Sequence, residues 1–228
     1  MRMLLSVLPA VVFLTCSAVH AKNLSVDLDM KKPEVSSKQA EADEWLNKGN
    51  AAYQAKKYDE AIACYKKATE LDPSFASAFY NLGIMYEAKG MTDAAITPYK
   101  QALTVKPDYY AAQNNLGIIY KKKGMTDEAM TEFKQILSKN YNFPYAHFNL
   151  AECYFAKGNM HSASEHYYKA GLFFVERGDK DWAQKAYDAL KKTNAEDKVQ
   201  SLLEKMNEAP KAEPAAINRV IEVAPKAK

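Results

Sequence analysis

Apolar side chains recur along the middle of this 228-residue chain at spacings of three and four residues. Leu82 and Tyr86 fall on one helical face in one stretch, and Ala95, Tyr99 and Ala102 share a face in the next. This spacing predicts amphipathic α-helices, because three or four residues complete about one helical turn. Charged and polar positions fill the opposite faces. We therefore expect pairs of short helices that bury one side each.

The pattern repeats with a fixed period. YNLGIMYEAKGMTD begins at Tyr80 and NNLGIIYKKKGMTD begins at Asn114, 34 residues further on. A fixed period marks a repeat array, in which each unit buries its apolar face only against its neighbours. We therefore expect an all-α solenoid of stacked helix hairpins. Its four blocks are 42–75, 76–109, 110–143 and 144–177.

Residues suited to turns stand between the expected helices. Gly90, Gly124 and Gly158 fall where the first helix of a block must end, and glycine takes the left-handed C-cap conformation at little steric cost. Pro98 lies inside an expected helix, where it removes a backbone donor, so we expect a bend and not a break. Small polar residues that can cap the helix after each turn also repeat along the chain. They are Thr92, Thr126, Ser74, Asp108 and Asn142.

The blocks resemble the tetratricopeptide repeat (TPR) family, whose pattern fixes small, aromatic and proline positions within each repeat. The second block carries the whole pattern: Phe79, Leu82, Gly83, Tyr86, Ala95, Tyr99, Ala102 and Pro107. The other blocks keep most of it. They depart from it at Lys48, Ala52, Gln113, Ile136, Tyr141, His147, Ala151 and Val175. The resemblance implies a right-handed superhelix whose first helices line a concave groove.

The period shortens after the fourth block, because Gly178 follows Gly158 by only 20 residues. An array needs an end that covers its last apolar surface. The stretch with Trp182, Ala183 and Tyr187, and an amphipathic stretch over 197–206, suit that purpose. We therefore expect C-terminal capping helices within 178–208.

The first 21 residues have the features of an export signal, with an apolar run from Met3 and small residues before a cut after Ala21. The run is shorter than the roughly 20 residues that span a bilayer, which disfavours an uncleaved anchor. Lipidation at Cys16 is a further alternative, disfavoured by the bulky Thr15 before it. We therefore expect the protein to be exported. The short signal favours a bacterial periplasm over an endoplasmic reticulum lumen as its destination.

The segments outside the array are rich in Lys, Pro, Ala and Ser, which rarely order alone. We expect 22–41 to be a flexible linker and 209–228 a disordered tail. Two details leave an alternative open: apolar residues alternate over 24–30 as in a strand, and 217–223 is apolar enough to dock. A short strand or a partner motif is therefore the other interpretation of these segments.

Composition excludes some classes of function. A net charge of +3 from 31 basic and 28 acidic residues is too even to predict a nucleic-acid partner.

Cys64 and Cys153 fall three repeats apart, beyond disulfide reach, so we expect two buried free thiols. His161, Glu165 and His166 could suggest a metal site, but His166 turns about 100° from Glu165 on a helix. We expect solvent-facing polar residues there, no metal, no cofactor and no catalysis.

Asparagine occupies the sixth position of every block, and its amide could grip one peptide group of an extended chain. The same amide could instead hold neighbouring structure, and both interpretations stay open. With other first-helix positions, these residues form the predicted peptide-binding groove. Its members are Asn47, Asn50, Tyr80, Asn81, Ile84, Asn114, Asn115, Ile118, Lys122, Phe148, Asn149 and Glu152.

The sequence thus predicts a non-enzymatic scaffold that binds a protein or peptide segment in its groove. Chaperone-binding relatives in the family hold a terminal carboxylate with basic residues where this chain has Leu46, Ala111 and Asn115, so we do not expect that partner. The alternative is a self-associating spacer, a homo-oligomer or a chain whose groove is filled by its own tail through 217–223.

Overall fold

The structure is a computed structural model that describes residues 34–208, with side chains from residue 37 onward. The predicted signal peptide and the predicted tail lie outside these residues. Within them the chain forms ten α-helices and no strand, which confirms the expected all-α repeat solenoid. The helices are α1 Glu34–Gln54, α2 Tyr58–Leu71, α3 Ala76–Ala88, α4 Thr92–Val105, α5 Tyr110–Lys122, α6 Thr126–Lys139, α7 Pro144–Ala156, α8 Met160–Glu176, α9 Lys180–Lys191 and α10 Glu196–Glu208.

Each helix from α1 to α9 packs against the next one along the chain, and α10 packs on both α8 and α9. Side-chain contacts also join the first helices of successive blocks: α1 to α3, α3 to α5 and α5 to α7. The backbones of α5 and α7 contact each other directly. The first helices therefore line one continuous face of the molecule. No helix in the described part of the chain is long and apolar enough to cross a bilayer.

In the first three blocks, a glycine on the first helix lets an aromatic ring from the second helix lie against the backbone. A Cβ added to Gly83 would lie 2.5 Å from a ring atom of Tyr99, which is fully buried. Any side chain there would force the ring to move. The same contact recurs one block to either side, at 2.6 Å for Gly49 with Tyr65 and 2.6 Å for Gly117 with Phe133. The family pattern of glycine and aromatic residue is thus one packing contact.

The predicted glycine turns are confirmed. Gly90, Gly124 and Gly158 have φ angles of 75°, 76° and 76°. After α3 the N–H of Gly90 donates to the carbonyl of Glu87 and the next N–H donates to that of Tyr86, both at 2.8 Å. These two bonds satisfy the last carbonyls of the helix.

The predicted N-caps are wrong by one residue. Thr92 and Thr126 are the first helical residues, so the N-caps are the methionines before them, and neither accepts a side-chain capping bond. Ser74, Asp108 and Asn142 precede N-caps that are aromatic and likewise uncapped by side chains. The aromatic N-caps Tyr109 and Phe143 pack against the core. That burial replaces a capping bond that typically contributes about 1 kcal/mol.

The linker prediction is wrong for residues 34–41, because α1 begins at Glu34. Side chains 37–41 are exposed, so this turn gains little from tertiary packing. Lys, Gln, Ala and Glu are good helix formers, and their propensity extends the helix outward from the buried Ala42. In α4 the helix runs on through Pro98 to Val105, as expected for a proline that does not break it.

The C-terminal helices cover the last repeat. Leu202 of α10 is fully buried and lies over Gly171 of α8, where an added Cβ would be 2.5 Å from the leucine side chain. Lys198 forms an ion pair with Glu165 at 3.1 Å, and the Tyr168 and Ser201 hydroxyls are 2.9 Å apart. Apolar packing and polar contacts together therefore hold α10 on the end of the array.

Cys64 and Cys153 are buried free thiols.

Candidate functional site

The predicted groove residues of the first two blocks form a hydrogen-bonded chain. Asn81 of α3 donates through Nδ2 to Oδ1 of Asn50 on α1 at 3.3 Å, and the same oxygen accepts from the Tyr65 hydroxyl at 2.8 Å. Burial raises the pKa of Tyr65, so its hydroxyl stays a donor. Each bond joins different helices. The asparagines therefore hold neighbouring first helices together.

A second cluster surrounds Tyr99 in the middle of the array. Its hydroxyl donates to Glu87 at 2.6 Å and accepts from Nδ2 of Asn115 at 3.1 Å. Burial, and then the Glu87 charge, raises the pKa of Tyr99, which keeps the proton on its oxygen. Lys122 lies 3.6 Å from Glu87 and joins α5 to α3.

A third cluster joins α5 to α7. Asn149 donates through Nδ2 to Asn114 at 3.1 Å and to the carbonyl of Tyr145 at 2.9 Å. Lys121 donates to Oδ1 of Asn149 at 3.0 Å and pairs with Glu152. Both Asn114 and Asn149 are buried. Asn149 therefore uses both its amide nitrogen and its amide oxygen in bonds within the protein.

The predicted groove residues differ in how far their side chains are exposed to solvent. Tyr80 and Ile84 are 3% and 8% exposed and belong to the core, where the Tyr80 ring lies 4.8 Å from the Tyr109 ring. Asn47 and Lys122 are exposed, and Ile118 is half-buried. Five of the predicted groove asparagines form internal hydrogen bonds, and contact of any groove residue with a ligand stays a prediction. The five are Asn50, Asn81, Asn114, Asn115 and Asn149.

A cleft of 530 Å³ opens where α7, α8 and α9 meet. Two of its lining residues, Phe148 and Glu152, belong to the predicted groove. The Phe148 ring lies 5.4 Å from the ring of Tyr167 and 5.4 Å from that of Trp182, nearly edge-on to Trp182. The other lining residues are Phe155, Tyr167, Trp182, Lys185, Asp188, Ala189 and Lys192.

Sequence reasoning missed most of this cleft because it assigned Trp182 to a cap. One departure from the repeat pattern was the available signal. Ala151 stands where the three earlier blocks have glycine, and a Cβ at those positions would lie within 2.6 Å of the ring opposite. Tyr167 therefore cannot lie as close to the backbone of α7 as Tyr99 lies to that of α3. Its ring forms a wall of the cleft.

His147 and His166 form a pair between α7 and α8, with their Nδ1 atoms 2.9 Å apart. Nε2 of His147 is 2.8 Å from the carbonyl oxygen of Tyr141, which can only accept, so His147 carries its proton on Nε2. His166 then donates to Nδ1 of His147. Its ring stacks on Tyr154 at 5.6 Å.

The prediction of a solvent-facing polar surface is therefore wrong for His166, which is half-buried, while His161 is exposed and Glu165 pairs with a lysine. Burial lowers the pKa of His147 to about 4 and, with the charges of His147 and Lys169, that of His166 to about 4. No group of three or more potential metal ligands occurs within residues 34–208.

Comparisons with known proteins agree with this architecture. The model of a TPR repeat family matches residues 49–90 and 85–124, and a second tetratricopeptide repeat model matches 114–173. A search of curated proteins found none that matches the sequence. Together the two family models cover more than half of the chain.

Solved structures of similar fold include MamA from Desulfovibrio magneticus RS-1, with a TM-score of 0.57 and 17% identity over 74% of this chain and 93% of that one. YrrB, described as a TPR protein with an unusual peptide-binding site, gives 0.50 and 20% over 75% and 96%. The first TPR of Spaghetti (RPAP3), bound to an HSP90 peptide, gives 0.50 and 24% over 53% and 95%. With its repeat period, its glycine–aromatic contacts and these family matches, the chain belongs to the tetratricopeptide repeat family.

Proposed function

We propose that this protein is a non-enzymatic scaffold that binds a peptide segment along the face formed by α1, α3, α5 and α7. The observation that carries the proposal is the continuity of that face, where polar side chains are linked from the first block to the fourth. An extended peptide needs such a row of fixed donors and acceptors for its backbone. YrrB and the Spaghetti TPR are similar folds whose structures are described with peptide sites.

The asparagine bonds support this function as well as stability. Asn81 and Asn115 each use Nδ2 inside the protein, which fixes the plane of the amide. Both residues are half-buried, and neither Oδ1 atom has a hydrogen-bond partner within residues 34–208. A carbonyl oxygen held in this way can accept an N–H from a peptide without losing side-chain entropy on binding.

The segment it binds should differ from the HSP90 peptide. Leu46, Ala111 and Asn115 stand where chaperone-binding relatives carry basic residues, so a terminal carboxylate finds no charge partner at those positions. We also propose that the protein works outside the cytoplasm, in a bacterial periplasm, because the sequence of its first 21 residues predicts an export signal. N-terminal sequencing of the mature protein tests this: a start at residue 22 supports it, a start at Cys16 indicates a lipoprotein, and an intact Met1 contradicts it.

Site-specific crosslinking tests the binding face. A photoreactive residue in place of Asn115 should capture a protein partner in the native cell, and the same residue in place of Lys100, exposed on α4, should not. In pull-downs of the captured partner with a chain that carries no photoreactive residue, the double change Asn81→Ala and Asn115→Ala should weaken binding by roughly 1 to 3 kcal/mol, the usual cost of lost polar contacts. Equal capture from both faces would contradict the proposal.

Self-association is the second candidate function. Met206, near the end of α10, packs against the same buried cluster as Trp182, which lines the cleft. The tail that follows α10 therefore starts near the cleft, and in this candidate function it fills the cleft of its own chain or of a second copy. Light scattering of the full chain and of a chain ending at residue 208 tests this candidate. If both the full chain and the shortened chain have the mass of a monomer, a second copy does not occupy the cleft.

A further inference from the structure

We propose that the cleft between α7, α8 and α9 is the specificity pocket of the binding face. It takes a large aromatic or aliphatic side chain of an extended partner segment, while Lys185 and Lys192 bind acidic side chains next to it. This inference rests on the proposed function and adds the chemistry of the partner. The fourth block and the capping helix α9 build the pocket together.

The cleft has the size and the lining for one large side chain. Its volume is 530 Å³, and its walls include Phe148, Phe155, Tyr167 and Trp182. Trp182 is held from behind, because it stacks on the buried Phe174 at 5.5 Å with an interplanar angle of 22°. Its ring is thus rigid and still partly exposed. A preorganised aromatic wall loses little entropy when an apolar side chain enters.

The charges at the rim select an acidic neighbour. Lys185 and Asp188 of α9 and the C-cap residue Lys192 lie on one side, at spacings of three and four residues. Lys185 sits 4.1 Å above the Trp182 ring, and neither lysine forms an ion pair with a carboxylate of residues 37–208. Asp188 accepts a hydrogen bond from Gln184 at 3.1 Å. Two lysines that have no carboxylate partner therefore line the cleft.

The other acidic group at the cleft is already neutralised. Glu152 pairs with Lys121 from the preceding block, and the same lysine binds Asn149. An incoming carboxylate therefore meets two lysines that have no carboxylate partner. Of the two acids at the cleft, Glu152 is already paired with Lys121 and only Asp188 opposes the incoming carboxylate. Because Glu152 and Asn149 also belong to the binding face, a segment lying along α7 would pass directly over the cleft. These contacts favour a large apolar residue with acidic residues next to it in the partner.

Fluorescence of Trp182 provides the test. The chain has two tryptophans, so Trp45→Phe in the full chain leaves Trp182 as the only one. The probe is the peptide acetyl-GSGFEEGSG-amide. Two control peptides replace its Phe by Ala or its Glu-Glu by Lys-Lys. We expect a saturable change in Trp182 emission with the probe, and binding about tenfold weaker or more with either control.

Matched charge reversals separate the pocket from general electrostatics. Lys185→Glu with Lys192→Glu should weaken probe binding about tenfold or more. Lys180→Glu with Lys191→Glu makes the same change in net charge on the same helix, also at exposed positions, and should leave binding within about twofold. Far-UV circular dichroism checks that both variants stay helical. Equal weakening by the two pairs would overturn the inference.

Other outcomes also overturn it. If Trp182 emission does not change at millimolar probe while the photoreactive residue at position 115 still captures a partner, the pocket inference is contradicted and the scaffold function is not. If the photoreactive residue at position 115 captures no partner, the scaffold function itself is contradicted. Binding only of a peptide with a free terminal carboxylate would replace acidic side chains as the ligand. A change in Trp182 emission caused by Ile221→Asp, without any probe, would make the chain's own tail the occupant.

Discussion

The first three blocks and the C-terminal end are built by different means. Each of the first three blocks repeats the same contacts: a glycine lies under an aromatic ring, and an aspartate in the first turn of the second helix pairs with a lysine that follows the first helix of the next block. At the C-terminal end the glycine becomes Ala151, and a histidine pair, a cleft and a capping helix appear instead.

This difference shows where function can arise in a repeat protein. A contact that recurs in every block serves every block, so it stabilises the array and distinguishes no ligand. The ion pairs illustrate this: Lys89 with Asp59, Lys123 with Asp93 and Lys157 with Asp127 follow the repeat period and are largely exposed. Exposed pairs contribute about 0 to 1 kcal/mol each. The departures at the C-terminal end are the features that distinguish one surface from another.

Removing the capping contact should have the largest effect on stability. Leu202→Ala leaves a cavity beside Gly171, and a fully buried leucine typically loses about 2 to 5 kcal/mol on truncation to alanine. Leu203→Ala, at a half-buried neighbour on the same helix, should cost about 1 kcal/mol. Urea unfolding followed by circular dichroism measures both. Equal losses would mean that α10 is not anchored at Leu202.

A side chain at a repeat glycine should destabilise the regular region. Gly83→Val places atoms where the buried Tyr99 ring lies, and overpacking of this kind costs about 1 to 3 kcal/mol. Ala88→Val, at an exposed site on the same helix, carries only the lower helix propensity of valine, about 0.6 kcal/mol. If both variants unfold at the same urea concentration, the ring does not depend on the glycine.

The histidine pair should make the C-terminal end sensitive to acid. Because burial holds both pKa values at about 4, below the ordinary 6.5, the unfolded chain binds more protons between these values. The stabilisation is complete above pH 6.5 and is lost as the pH falls towards 4. We expect a loss of about 1 to 2 kcal/mol between pH 7 and pH 5, allowing for the partial exposure of His166.

Substitution within α7 and α8 checks that prediction. Lys134 and Lys169 oppose a positive charge at His166, whereas Glu165 favours one. His147→Phe removes one of the two titrating groups and should reduce the acid sensitivity by about half. His161→Ala, at an exposed site on α8, should leave the pH dependence as it is. An unchanged slope in His147→Phe would show that the pair does not control it.

The smallest effect should be a gain in the first block. Lys56 occupies the place of the repeat glycines, with a φ of 58°. A left-handed residue with a side chain costs about 1 to 2 kcal/mol, and the greater flexibility of unfolded glycine offsets part of that. Lys56→Gly should therefore stabilise the chain by about 0.5 to 1 kcal/mol. Lys57→Gly, at a negative φ of −89°, should give no such gain in thermal unfolding.

The sequence predicted the regular part well because its period encodes both the helices and the turns. Gly90 and Gly124 mark the helix ends, and Gly83 with Tyr99 marks the packing contact. The N-caps were missed because burial of Tyr109 and Phe143 outweighs a local polar bond. The exposed first turn of α1 was missed because its composition resembles that of a linker.

The candidate site was less predictable, because it depends on contacts between separate helices. His147 and His166 are 19 residues apart, and their contact follows only from the hairpin geometry. Trp182 reaches the cleft because α9 crosses the end of the last repeat. Ala151 was visible as a departure from the pattern, but its consequence for Tyr167 required the distances seen at the repeat glycines.

Amide hydrogen exchange of the full chain, with and without saturating acetyl-GSGFEEGSG-amide, tests the division of labour most directly. If the regular blocks supply the scaffold and the C-terminal end supplies recognition, protection should increase in α7 and α9 and stay unchanged in α2, α4 and α6. Increased protection in α2, α4 and α6, or none in α9 at saturation, would contradict the account.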